Sequence, residues 1–110
     1  MNDLIRPALY DAWHEVRPVR EAEFGAQTGV YDIVGPICES ADFLARGRRL
    51  GIAPGGLLAI MSAGAYGMVM SSNYNTRPRP AEVLVSGASA WLIRERENVA
   101  QLFAAERLLP

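Results

Sequence analysis

The sequence predicts a mainly β fold, an antiparallel Greek-key-like barrel or sandwich with a C-terminal helix. Three observations carry this. Short runs of β-branched, aromatic and aliphatic residues recur between glycines and prolines, which is the punctuation of strands. "PAEVLVSG" and "SAWLIRER", together spanning 80–96 and turning at Ser86-Gly87-Ala88, read as a hairpin. Only the tail changes to a helical period, with Val99, Leu102, Phe103 and Leu109 on one face.

In chain order, residues 3–10 fit a helical turn interrupted at Pro7. "AWHEVRPV" (12–19) alternates in the manner of a strand, and Pro18 confines it to an edge or a terminus. "TGVYDIVG" (28–35) is a β-branched and aromatic strand between glycines. "GGLLAIMS" (55–62) reads as a buried strand opened by Pro54-Gly55-Gly56. After the 80–96 hairpin comes a helix over roughly 97–107, where Asn98 and Gln101 have the spacing of a capping box. No internal repeat, low-complexity tract or linker divides the 110 residues, so one domain is expected.

Composition narrows the function classes. The net charge of −1 gives no global positive field to gather nucleic acid or anionic lipid. All 11 basic residues are arginine, so no side-chain primary amine exists for imine chemistry. Cys38 is the single cysteine, which excludes an intrachain disulfide and a cysteine-rich metal site and points to the cytoplasm. Residues 50–76 carry no charge, yet Pro54, five glycines, three serines and two asparagines rule out a spanning helix. No membrane and no nucleic-acid partner is expected.

Four features could carry chemistry. His14 has no second histidine to form a metal site with and reads as structural or surface. "RPRP" (77–80) reads as loop ion pairing. "GAYG" (64–67) would let backbone pass close to a ligand while Tyr66 projects, or form a tight turn. "PICESADF" (36–43) places Cys38 beside Glu39 and Asp42 at a strand-to-loop transition. A lone cysteine is usually an inert small hydrophobe, but three such groups together are costly to bury and argue for a polar site.

Order and spacing add a resemblance. "RPALY" (6–10), "YDIVGPICESADF" (31–43) and "GAYGMVMSSNYNTRPRPAEVLV" (64–85) resemble the C-terminal part of the alanine-racemase-like family of pyridoxal-phosphate decarboxylases, in its diaminopimelate-decarboxylating branch. Ala41 stands where that family commonly has glycine and Gly56 where it has aspartate. The resemblance implies that residues 1–110 are the β domain of a longer enzyme. An N-terminal α/β barrel would hold the cofactor, pyridoxal phosphate, and the lysine that binds it. It further implies a homodimer with a site shared between subunits and an amino-acid substrate, meso-2,6-diaminopimelate, decarboxylated to L-lysine. By this resemblance Cys38 is the general acid and Glu39 recognises the distal end of the substrate. Arg6 and Tyr10 contact substrate, and Tyr66 touches both cofactor phosphate and substrate. Two other readings stay open: a related ornithine or arginine decarboxylase, opposed by Glu39 where those enzymes carry aspartate, and a non-catalytic β module that docks on a full-length enzyme.

Overall fold

The computed structural model describes residues 1, 3–20 and 27–110. It is built mainly of antiparallel strands with short helical turns, in agreement with the expected class. β1 (Val16–Pro18) pairs with β4 (Leu58–Ile60), β2 (Gln27–Val34) with β3 (Phe43–Ile52), and β5 (Glu82–Ser86) with β6 (Ser89–Arg94). Among the described residues the hydrogen-bonded strands group into these three pairs.

The longest strand is one that the periodicity does not show. β3 contains Arg46, Gly47, Arg48 and Arg49, and the sequence reading places no strand there. The strand forms because β2 supplies a ladder for it, and two bulges absorb the awkward residues. Arg46 and Gly47 together oppose Asp32, and Leu44 is an extra residue between the pairs Ile33–Ala45 and Val34–Phe43. Gly47 has φ +62, a value that glycine adopts without penalty. The Asp32 carboxylate accepts its N–H at 2.8 Å, so the bulged amide is satisfied. Ala45 and Leu50 pack with Val16 in a small core, and Leu44 and Ile5 are buried as well.

Other expectations are corrected in extent or position. The C-terminal helix is one turn, α2 (Val99–Leu102), rather than 97–107, and Leu109 lies beyond it, exposed. The capping box is present: the Asn98 side chain accepts from Gln101 N–H at 3.1 Å, and the Asn98 N–H donates to Gln101 Oε1 at 2.7 Å. A capped start does not prolong a helix that has little to pack against, because short helices depend on burial. Pro7 starts a 3₁₀ turn, Pro7–Leu9, instead of interrupting one, since its missing N–H is an orphan there. β4 is three residues long and only half-buried, and β1 is likewise three residues of the eight-residue strand read at 12–19. "GAYG" is the helical turn α1 (Gly64–Gly67), which agrees with the tight-turn alternative.

The β5–β6 hairpin turns over Gly87-Ala88, with Ser86 and Ser89 paired, as read from the sequence. Its side chains from Val83 to Arg94 are exposed.

Candidate functional site

The eight residues 35–42 join the paired ends of β2 and β3, so Cys38 and Glu39 stand at the tip of a long hairpin. The tip is stapled from within. Gly35 N–H donates to the Asp42 carbonyl at 2.9 Å, and Ile37 N–H donates to the Asp42 carboxylate at 2.8 Å. Glu39 N–H donates to the Ile37 carbonyl at 2.8 Å. Ile37 and Asp42 are buried and anchor the loop, while Cys38 and Glu39 are exposed beside them. Gly35 is required by a close approach: a Cβ there would stand 2.6 Å from Asp42 Cγ. The three polar groups of this segment are thus divided in position. Asp42 holds the loop and its neighbours face out.

A second group gathers beside this tip. Arg6, Tyr10 and Tyr66 line one cavity of about 370 Å³, together with Ile5, His14 and Met70. Arg6 and Tyr10 flank the 3₁₀ turn that Pro7 starts. Tyr66 sits on α1, reached through Ser62, which has φ +56 at the end of β4. His14 has a structural partner, as its residue type suggested: Nδ1 lies 3.0 Å from the Met61 carbonyl. That carbonyl can only accept, so Nδ1 carries the proton. The bond ties the approach to β1 to the end of β4, and hence to the turn bearing Tyr66.

Cys38 and Glu39 do not line that cavity. A residue missed in the sequence reading connects the two groups. Tyr74 donates its hydroxyl to Glu39 Oε2 at 3.2 Å, and the Arg6 guanidinium lies 5.9 Å from the centre of the Tyr74 ring. The signal was a second tyrosine eight residues after Tyr66 in the same motif block.

The "RPRP" segment pairs as expected. Arg77 Nε meets Asp3 Oδ2 at 2.9 Å, and Arg79 Nε lies 3.4 Å from Glu97 Oε1. The Arg79 backbone N–H, and after it the Asn73 amide, holds the Glu97 carboxyl below its ordinary range.

The donor set suits a phosphate-bearing cofactor. Tyr66 presents an exposed phenol between Gly64 and Gly67, and the space where a Cβ would stand is open at both glycines. The Tyr66 and Gly67 N–H groups both donate to the Ala63 carbonyl, so it is the Tyr66 hydroxyl that fits a phosphate. Among the described residues no helix is long and apolar enough to cross a membrane.

The hairpin tip thus presents a thiol and a carboxylate next to a cavity lined by an arginine and two tyrosines. Residues 1–64 match the family described as pyridoxal-dependent decarboxylase, C-terminal sheet domain, and the chain belongs to that family. Its relatives are more particular. Over all 110 residues it is 64% identical to diaminopimelate decarboxylase of Pseudomonas fluorescens and 56% identical to that of Vibrio cholerae, covering 26% of each. Among solved structures, diaminopimelate decarboxylase from M. jannaschii in co-complex with L-lysine superposes with a TM-score of 0.88 at 42% identity. All of this chain and 25% of that one are covered. The chain therefore spans about a quarter of the length of the relatives it matches.

Proposed function

We propose that this chain is the β domain of a diaminopimelate decarboxylase, supplying the recognition and proton-donating groups for conversion of meso-2,6-diaminopimelate to L-lysine and carbon dioxide. The observation that carries it is the linkage of Glu39, through Tyr74, to the cavity of Arg6, Tyr10 and Tyr66. Diaminopimelate has a distal carbon bearing both an ammonium and a carboxylate. Glu39 is the acceptor for the first. Arg6, with a planar fork of donors, suits the second, aided by the Tyr10 hydroxyl. The family supports pyridoxal phosphate as cofactor. When bound, it supplies the electron sink for decarboxylation. Tyr66 would donate its hydroxyl to the cofactor's phosphate. Cys38, an exposed thiol at a hairpin tip, would be the group that delivers a proton to the carbon that carbon dioxide has left.

The chain has no lysine, so the covalent anchor for the cofactor and its barrel belong to the rest of the whole protein. We place the site between subunits of a homodimer, with the Cys38–Glu39 tip reaching the partner's barrel. A cytoplasmic location keeps the exposed thiol reduced; recovery of the protein in a periplasmic fraction would oppose that.

The test is hybrid complementation in the full-length protein. Glu39→Gln and a variant lacking the barrel lysine should each be nearly inactive, and their mixture should recover lysine formation through one intact site per hybrid dimer. Hybrids that form without any recovery overturn the shared site. Wild-type protein that decarboxylates ornithine as readily as diaminopimelate overturns the substrate. No decarboxylation at all leaves the docking-module reading.

A further inference from the structure

We propose that Tyr74 is a positioning residue that sets the Glu39 carboxylate against Arg6, and thereby determines which distal group the substrate must carry. The inference rests on the functional reading of Glu39 and Arg6 given above. Tyr74 contacts both of them. Its hydroxyl donates to Glu39 Oε2 at 3.2 Å, the only direction available when the acceptor is an ionised carboxylate. Its ring lies 5.9 Å from the Arg6 guanidinium carbon, at the edge of cation–π range.

Core packing does not account for Tyr74, which is 43% exposed. Its mount is nevertheless heavily braced. Tyr74 opens a 3₁₀ turn, Tyr74–Thr76, in which Asn75 and Thr76 both have φ +57. Asparagine tolerates that region, but a β-branched threonine there is strained and persists only where its surroundings impose it. The surroundings do so on both sides. The Asn73 amide donates to the Arg77 carbonyl at 3.1 Å and to Glu97 Oε2 at 2.7 Å, and Thr76 N–H donates to the Asn73 carbonyl at 2.8 Å. Arg77 is tied in turn to the buried Asp3. The tyrosine is thus a fixed post between an acceptor for ammonium and a donor for carboxylate. Its hydroxyl also occupies a lone pair on Glu39, so that the carboxylate is aimed as well as charged.

The experiment is a double-mutant cycle in the full-length holoenzyme with Tyr74→Phe and Glu39→Ala. Tyr74→Phe keeps the ring beside Arg6 and removes the hydroxyl alone. It should lower kcat/KM for meso-diaminopimelate about 10-fold, chiefly through KM, with kcat and the absorbance of bound cofactor little changed. On the Glu39→Ala background the same substitution should cost less than about 2-fold, because a residue acting through Glu39 has nothing left to position. The full cost on both backgrounds, or wild-type kinetics for Tyr74→Phe, overturns the proposal. Calorimetric affinities of the four proteins for meso-diaminopimelate give the same cycle without turnover. A wild type that prefers ornithine defeats the substrate assignment alone. The cycle, run on ornithine, then still decides whether Tyr74 acts through Glu39.

Discussion

Asp42 and Cys38 lie four residues apart and do opposite things. Asp42 is buried and gives its oxygens to the loop that holds the tip, whereas Cys38 is exposed. A buried hydrogen-bonded carboxylate is structural, because removing it orphans the N–H groups it serves. An exposed thiol at a braced tip adds little to stability and is available for chemistry. Cys38→Ala should accordingly leave the thermal midpoint of the full-length protein nearly unchanged. It should lower kcat by about 10²–10⁴-fold, the usual worth of a positioned general acid, with KM much less affected. Steady-state kinetics beside a thermal melt check this, and an unchanged kcat would return Cys38 to the role of a small apolar side chain. Within one short loop, the direction in which the chain turns each residue separates the buried anchor from the exposed thiol.

The elements that carry the site are short, and the exception is the β2–β3 pair. Its length matters because the site loop is its tip, and its two bulges bend the arm that presents it. What fastens the arm is the inward row of β3, in which Leu50 is 6% exposed against Val16. Leu50→Ala should therefore destabilise the chain by about 2–5 kcal/mol in chemical denaturation. Leu57→Ala, at a position 73% exposed, should stay within about 0.5 kcal/mol. Equal effects would mean that β3 is not the core strand. The other helical and strand pieces depend on their ends. α1 is held by bonds from the Tyr66 and Gly67 N–H groups to the Ala63 carbonyl, and the Tyr74 turn by the side-chain bonds of Asn73.

Taken whole, the chain is drawn out. Its radius of gyration is 16.5 Å, against about 13 Å for a compact domain of this length. The β5–β6 hairpin contributes, with Val83, Leu84, Trp91, Leu92 and Ile93 all exposed. It is fastened at its base by Glu97, which binds Arg79 and Asn73 across the chain. That carboxyl is held below the ordinary value of 4.5 by the Arg79 N–H first and the Asn73 amide next. Because the folded value is depressed, its contribution is fully present above the ordinary value and is lost as pH falls through the folded one. Thermal melts between pH 6 and 3 should show the wild type losing stability below about 4.5. Glu97→Gln should be less stable at neutral pH and should lose less over that acid window. An identical slope for both proteins would show that Glu97 does not link the hairpin to the site region.

Much of this was legible before any coordinates. The strand at 28–35, the 80–96 hairpin and the Asn98 capping box follow from local chemistry: β-branched side chains, a two-residue turn and a reciprocal cap are decided by neighbours in sequence. The motif blocks likewise mark Arg6, Tyr10, Cys38, Glu39 and Tyr66 as candidates, since residue type and spacing are properties of the chain alone. β3 was not legible, because three arginines and a glycine look like a loop until β2 offers a ladder and bulges take up the excess. The length of α2 was not either, because periodicity shows which face could pack and not whether anything is there to pack on. Tyr74 belongs to the same class. Its neighbours in sequence do not reveal that Glu39, 35 positions away, lies within reach of its hydroxyl. Only chain folding, by bringing distant segments to one place, could decide that.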